Sequence, residues 1–234
     1  MGAIFRREFG AYFTSSIAYI FLAVFWIFSG YFFFASCLSA ATTDMSNMFQ
    51  SLFLIVIFLI PILTMRLFSE EKKQKTEQGL LTAPVSLGEI VFGKYFAALA
   101  LYTVALLMPF VYALILSGFG VVEWGMVFAN FLALFLLGAA FIAVGELISA
   151  LTENQIASAV LSFIALMILY MIDVINSFIS VSVVNTVLNT LSFYRKYYAI
   201  TCGLFNVSTI IFYVSVAVVF NYLTIRVFER RRWS

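Results

Sequence analysis

The sequence predicts an all-α polytopic membrane protein with six transmembrane helices. The chain has 234 residues, of which 64% are hydrophobic and 10% are charged, whereas about 25% of the residues of a soluble domain are charged. The few charges are clustered and leave six apolar stretches of about 20 residues, the length that crosses a hydrocarbon core of about 30 Å. Few residues remain for a domain outside the membrane.

The uncharged intervals place the spans, because a charged side chain at the bilayer centre costs about 2.5–3.5 kcal/mol. We predict one transmembrane domain, residues 1–234, with spans at roughly 16–36, 49–66, 95–117, 125–148, 154–173 and 206–226. The interval 174–194 is also uncharged, but it holds three Asn, four Ser and two Thr and has no long apolar run. We expect it to form a re-entrant outer segment between spans 5 and 6.

Four aromatic residues lie at the end of this segment or directly after it. Irregular backbone at membrane depth is tolerated only where it is buried in protein or lines water. We therefore expect the re-entrant segment to contribute to an outer gate together with Phe193, Tyr194, Tyr197 and Tyr198.

The distribution of basic residues predicts the topology. With six spans and both termini in the cytoplasm, eleven of the thirteen Lys and Arg residues lie inside and only Arg195 and Lys196 lie outside. Such asymmetry follows the positive-inside rule. The apolar run at 17–35 is longer than the core of a secretory signal, so we expect no cleavage there.

The N-terminal residues have the pattern of an amphipathic helix. Phe5, Phe9, Tyr12 and Phe13 share one helical face, and Arg6 with its neighbour Arg7 lies on the opposite one. This pattern predicts an interfacial helix in the headgroup plane. A straight cytoplasmic extension of the first span is the alternative.

A polar segment at 66–94 interrupts the apolar sequence between spans 2 and 3. Its first half has an i, i+4 pair of Glu71 and Lys75, which favours a helix, and Pro84 ends that pattern. Ser86 and Glu89 then form a capping box that predicts the start of the helix leading into span 3. We expect helix, break and helix on the cytoplasmic side.

Two further patterns concern the ends of spans. Thr152 and Gln155 have the spacing of a capping box and predict the start of span 5. Glu146 and Asp173 lie near span ends, where we expect their carboxylates to reach the interface, although an intramembrane carboxylate is also a functional candidate.

The residue types limit the chemistry. The chain has no His, which excludes Ser-His catalysis and His-based metal sites, and it has no glycine-rich phosphate loop. We therefore predict no catalytic, cofactor or metal site in this chain, which is not an enzyme in this interpretation. Cys37 and Cys202 both fall near the outer side, where a disulfide is conceivable, as is burial of each as a small apolar residue.

The polar segment resembles the loop between the second and third spans of ABC-2 type permeases, the membrane subunits of ABC exporters. The segments 149–155 and 228–233 are similar to the family's turn after span 4 and to its basic tail, and the whole is similar to the branch that serves gliding motility and nitrous oxide reductase maturation. Glu146 and the pair at 78–79 depart from the family pattern. The matching positions are Arg66, Phe68, Glu70, Glu71, Lys72, Thr76, Leu80, Leu81, Thr82, Pro84, Val85, Ser86, Glu89, Gly93 and Lys94.

This resemblance implies a bacterial inner-membrane exporter powered by a separate ABC ATPase. It implies two ATPase copies that bind the ATP and Mg²⁺, a second copy of the permease or a related one, the lipid bilayer as surroundings, and no nucleic acid. The ATPase docks on a coupling helix at about 69–82. The residues implied in coupling are Ser69, Glu70, Glu71, Lys72, Lys73, Lys75, Thr76, Glu77, Leu80 and Leu81.

Other functions stay open on the sequence. An ion-coupled carrier or a channel is compatible with the apolar spans, and so is a membrane scaffold that transports nothing. The substrate is equally open between lipids, peptides, glycans and other cargo. An ATPase encoded next to this chain, or one that co-purifies with it, distinguishes the exporter from these alternatives.

Overall fold

The structure is a computed structural model that describes residues 1–73, 85–178, 189–204 and 206–232. Most of these residues are helical, and none of them lies in a strand. Their helices are α1 (Gly2–Thr14), α2 (Ser16–Phe33) with a π-helical turn (Phe34–Leu38), α3 (Ser46–Thr64), α4 (Ser69–Lys73), α5 (Leu87–Ser117), α6 (Trp124–Leu151), α7 (Gln155–Phe178), α8 (Phe193–Thr201) and α9 (Val207–Arg232).

Six helical stretches are long and apolar enough to cross a membrane, which confirms the predicted six-span, all-α class. The third stretch begins at Leu87, whereas the predicted span begins at 95. The six are Ser16–Leu38, Ser46–Lys73, Leu87–Ser117, Trp124–Leu151, Gln155–Ile172 and Val207–Arg231.

The early start of α5 follows from its N-terminal cap. The Ser86 hydroxyl accepts a hydrogen bond from the Glu89 N–H at 3.2 Å, and the Glu89 carboxylate accepts one from the Ser86 N–H at 3.4 Å. The predicted capping box is therefore confirmed. It satisfies backbone donors that the first turn leaves free.

The second predicted capping box is wrong. The Thr152 hydroxyl donates to the Ile148 carbonyl at 2.9 Å and so belongs to the end of α6. Helix α7 begins at Gln155, and the Asn154 side chain accepts from the Ile156 N–H at 2.9 Å. The turn between the two spans therefore uses Thr152 to close one helix and Asn154 to open the next.

Helix α6 lies at the centre of the bundle, and α3, α5, α7, α8 and α9 all pack against it. In its most apolar 18-residue stretch 72% of the residues are buried, compared with 17% in spans 5 and 6. Two glycines allow this packing, because a Cβ at Gly138 would overlap the Tyr102 ring and one at Gly145 would overlap Thr64. Small residues of this kind let membrane helices approach closely.

The N-terminal helix α1 is separate from the first span. Ser15 between them is extended, with φ −100° and ψ 161°, so α1 and α2 are two helices. The alternative of one straight helix through the first span is therefore wrong.

The segment 174–194 is helical at both described ends. Helix α7 continues to Phe178, and α8 begins at Phe193 with the Ser192 hydroxyl accepting from the Arg195 N–H at 3.0 Å. Residues 179–188, on which the re-entrant prediction depends, lie outside the described residues. Cys37 is buried and Cys202 is exposed, and both are free thiols, so the structure contains no disulfide between them.

Candidate functional site

Lys94 is a buried cation in the second turn of α5. Its side chain is 1% exposed, and a buried ammonium is stable only when it is paired and hydrogen-bonded. The ammonium donates to the Leu67 carbonyl at 2.7 Å and lies 3.0 Å from Glu71 Oε1 and 3.3 Å from Glu8 Oε1. It also lies 5.0 Å from the centroid of the Phe68 ring, a cation–π contact.

Arg7 completes a group of four charges that we call the Lys94 cluster: Arg7, Glu8, Glu71 and Lys94. The Arg7 guanidinium contacts Glu8 and lies 3.2 Å from Glu71 Oε1, and the hydrogen bond to Glu8 raises the pKa of Arg7. Two positive and two negative charges balance, and the carboxylate side chains are only 15% and 21% exposed. The cluster joins three elements, α1, α4 and α5.

A hydrogen bond and the packing of its aromatic side chains hold α1 against the bundle beside this cluster. Tyr12 is buried in the core, and Phe5, Phe9 and Phe13 pack against it. The Phe5 and Phe9 rings stack at 5.7 Å, and Phe9 meets Phe13 edge-on at 5.2 Å. The Tyr12 hydroxyl donates to the Leu63 carbonyl at 3.0 Å, and burial raises the pKa of Tyr12. The shared face predicted for α1 is therefore the face that packs on the protein.

The start of α4 is anchored from a second side by α6. The Ser149 hydroxyl accepts from the backbone N–H groups of Phe68 and Ser69 at 3.0 and 3.2 Å. The Lys72 ammonium lies 3.0 Å from Glu153, just beyond the end of α6. The turn that leads from span 2 into α4 is thus fixed to the start of α5 and to the end of α6.

The predicted coupling residues divide between described and undescribed positions. Ser69 is buried, Glu70, Glu71 and Lys72 are half-buried, and Lys73 is exposed. The remaining five lie outside the described residues, so the predicted pair of Glu71 with Lys75 does too. They are Lys75, Thr76, Glu77, Leu80 and Leu81.

Sequence reasoning missed the partners of α4. The sequence does not predict that Glu8 and Ser149 lie near α4. Lys94 appears there only as the last position that matches the loop of the ABC-2 permeases. Residues 8, 71 and 94 are far apart along the chain, and no local spacing relates them. The available signal was a Lys placed inside an apolar helix, which requires a buried counter-charge.

Glu146 is the second departure from expectation. Its side chain is fully buried, and neither carboxylate oxygen has a hydrogen-bonding partner among the described residues. The expected interfacial position is wrong, because α6 continues to Leu151 and α3 and α9 pack on it. A carboxylate in this position cannot reach the interface.

Three of the four predicted gate residues pack against the middle of α3 and α6. The Phe53 ring on α3 lies 5.2 Å from Tyr194 and 5.3 Å from Tyr197, and Phe193 lies 5.6 Å from Phe141 on α6. The Tyr197 hydroxyl also donates to a carbonyl of α3 at 2.6 Å.

The fourth gate residue differs from the others. Tyr198 is 44% exposed and lies 6.0 Å from Tyr194, on the rim of this aromatic group. Helix α8 therefore packs on α3 and α6 through one face and leaves Tyr198 outside.

Comparison with protein families identifies a relationship. A family model described as "ABC-2 family transporter protein" matches residues 5–169, which cover most of α1, the first four spans and much of α7. No curated protein matches the chain. The matched region includes every residue of the Lys94 cluster.

Proposed function

The chain belongs to the ABC-2 family of transporter proteins, the membrane permease components of ABC transporters, and we propose that it exports a substrate when a separate ATPase hydrolyses ATP. Two copies of the ATPase bind ATP and Mg²⁺ and dock on the cytoplasmic segment that begins with α4. Two permease subunits, identical or related, form the path for the substrate. The chain itself is multi-pass and catalyses no reaction in this proposal.

The Lys94 cluster is the observation that carries the coupling proposal. Glu71 on α4 shares the Lys94 ammonium with Glu8 on α1, so a displacement of α4 acts on two other elements at once. Buried charge pairs resist separation, because an unpaired charge in the interior is costly. A push on α4 is thereby transmitted to α5, the third span, and to α1.

The C-terminal end of α4 supplies the docking surface in this proposal. Ser69 is buried, whereas Lys73, one turn later on the same face, is exposed. The start of α4 is therefore anchored in the protein and its end is open to a partner.

The orientation follows from the distribution of charge. We propose that both termini and α4 are cytoplasmic, in a bacterial inner membrane, and that α8 is on the outside. In this orientation Phe193, Tyr194, Tyr197 and Tyr198 form the outer gate. A role in gliding motility or nitrous oxide reductase maturation is the narrower form of the proposal.

An ion-coupled carrier is the second candidate, and Glu146 favours it. A fully buried carboxylate inside a span is a feature of proton and cation pathways. Uptake or efflux in proteoliposomes driven by an imposed proton or sodium gradient without ATP is the result that this candidate predicts.

Co-purification tests the exporter proposal. We expect a subunit with a Walker A phosphate loop to co-purify with the full chain from its native membranes. The ATPase activity of that subunit should be higher when it is reconstituted with the chain than when it is reconstituted alone. Lys73→Pro removes a backbone donor of α4 and should abolish this stimulation, whereas Lys73→Ala should keep it. Equal stimulation by both variants, or no ATPase in the purified complex, contradicts the proposal.

A further inference from the structure

A cavity of about 370 Å³ opens at the end of the bundle opposite the Lys94 cluster. It lies where the loop between α2 and α3 meets the start of α6. This volume is within the range of sites that hold small organic ligands, about 300–1,000 Å³. The lining residues that matter are Thr43, Asp44, Met45, Glu123, Met126 and Asn130.

Asn130 forms the buried part of the lining. Its side chain is fully buried, and neither its amide nitrogen nor its amide oxygen has a hydrogen-bonding partner among the described residues. Buried side-chain amides are normally hydrogen-bonded, because leaving them unpaired is costly. Asn130 therefore offers one donor and one acceptor group to a ligand in this cavity.

Asp44 and Glu123 give the exposed rim of the cavity a negative charge. Asp44 Oδ1 accepts from the Ser46 N–H at 2.9 Å, which fixes the position of this carboxylate at the start of α3. No Lys or Arg occurs among the described residues that line the cavity. Met45 and Met126 supply apolar walls between the rim and the buried amide.

The lining fits an organic cation better than a metal ion. Among the described residues no group of three His, Cys, Asp or Glu side chains is close enough to bind a metal, and the volume is large for a bare ion. An ammonium suits the two carboxylates, and an apolar linker suits the two methionines. A hydroxyl or amide group suits Asn130, because it both donates and accepts.

We propose that this cavity binds a protonated amine whose short apolar linker carries a hydrogen-bonding group. The ammonium lies between Asp44 and Glu123, the linker contacts the methionines, and the polar group pairs with the Asn130 amide. This site is independent of ATP coupling and is tested without the ATPase.

Tyramine is a suitable probe, since it joins an ammonium to a phenol through a short apolar linker. Binding is measured by equilibrium dialysis of the full-length protein in phosphatidylcholine nanodiscs, with phenethylamine and 4-ethylphenol as probes that lack the hydroxyl and the ammonium. We expect saturable binding of tyramine, and binding about tenfold weaker for each of the two other probes.

Matched substitutions assign each part of the site. Asn130→Leu should remove the preference for tyramine over phenethylamine, and Asp44→Asn with Glu123→Gln should remove the preference over 4-ethylphenol. The side-chain oxygen of an Asn at position 44 can still accept the hydrogen bond from the Ser46 N–H, and the two rim residues are exposed, so this variant should fold. Asn221→Leu, a buried substitution on α9, is the control and should change neither preference.

Nanodiscs with phosphatidylethanolamine identify the source of the amine. Competition by this lipid indicates a headgroup ammonium, and unchanged tyramine binding indicates a soluble amine. Absence of saturable binding, preferences that survive the substitutions, or stronger competition by CaCl₂ than by phenethylamine would overturn the proposal.

Discussion

Lys94→Met tests how much the Lys94 cluster contributes to the bundle. Met has a similar length and no charge, so the substitution removes the ammonium and little volume. Of the two cations in the cluster, Arg7 then remains beside Glu8 and Glu71, and the Leu67 carbonyl, which is 2.7 Å from the ammonium, loses this donor.

The magnitude follows from the burial of the groups. Removing one partner of a buried ion pair costs about 3–5 kcal/mol, and the exposed fractions of 15% and 21% for the two carboxylates place the effect at the lower end, about 3 kcal/mol. Glu71→Gln in the same chain removes the negative charge that is in excess once Lys94 is replaced, and leaves Glu8 paired with Arg7. The double variant should therefore recover about 1–2 kcal/mol relative to additivity.

The assay is unfolding of the purified protein by SDS in mixed micelles, followed by tryptophan fluorescence. The control is Lys196→Met, because the Lys196 ammonium lies 4.7 Å from the Phe212 ring on α9. Among the described residues this cation–π contact, of about 0.5–1 kcal/mol, is the only one that Lys196 has to lose. A cost at Lys94 no larger than at Lys196, or strict additivity with Glu71→Gln, would refute the reasoning.

Three more outcomes follow from the packing and the topology. Gly138→Ala should lower the free energy of unfolding by about 1–3 kcal/mol in the same SDS assay, because a Cβ there overlaps a buried tyrosine ring, while Gly125→Ala on the same helix meets nothing within 4 Å and should be neutral. Cys202 should react with an impermeant thiol reagent in intact cells, whereas buried Cys37 should not. Labelling of Cys202 only after lysis would indicate the opposite membrane orientation. Tyr197→Phe removes a buried hydrogen bond of 2.6 Å and should lower the free energy of unfolding by about 1–2 kcal/mol. It should also raise the activity of the partner ATPase in the absence of substrate. Unchanged basal ATPase activity would argue against the gate.

The span architecture was predictable because each span carries its own signal. Apolar length and the spacing of charges identify a membrane helix without knowledge of its neighbours. The Ser86 and Glu89 capping box was predictable for the same reason, since both partners lie within one turn. Thr152 shows the limit of such signals, because its hydroxyl could close one helix or open the next, and the preceding helix was longer than predicted.

The contacts that build the site were not predictable from local patterns. Lys94 pairs with Glu8 and Glu71 only because α1 folds back along α5, and Ser149 meets the turn before α4 only because α6 is central. Glu146 is buried for the same reason. A single sequence shows which residues are polar inside apolar helices, but their partners depend on how the helices pack.

The most direct test of the coupling account is a photo-crosslinking amino acid placed at Lys73 in native membranes, with the same amino acid at Ser39 as the control. Both positions are exposed, and they lie at opposite ends of the bundle. The account predicts that position 73 is crosslinked to a subunit with a Walker A loop, identified by mass spectrometry, and that position 39 is not. Crosslinking of that subunit from position 39, or its absence at position 73 in an assembled complex, would contradict the account.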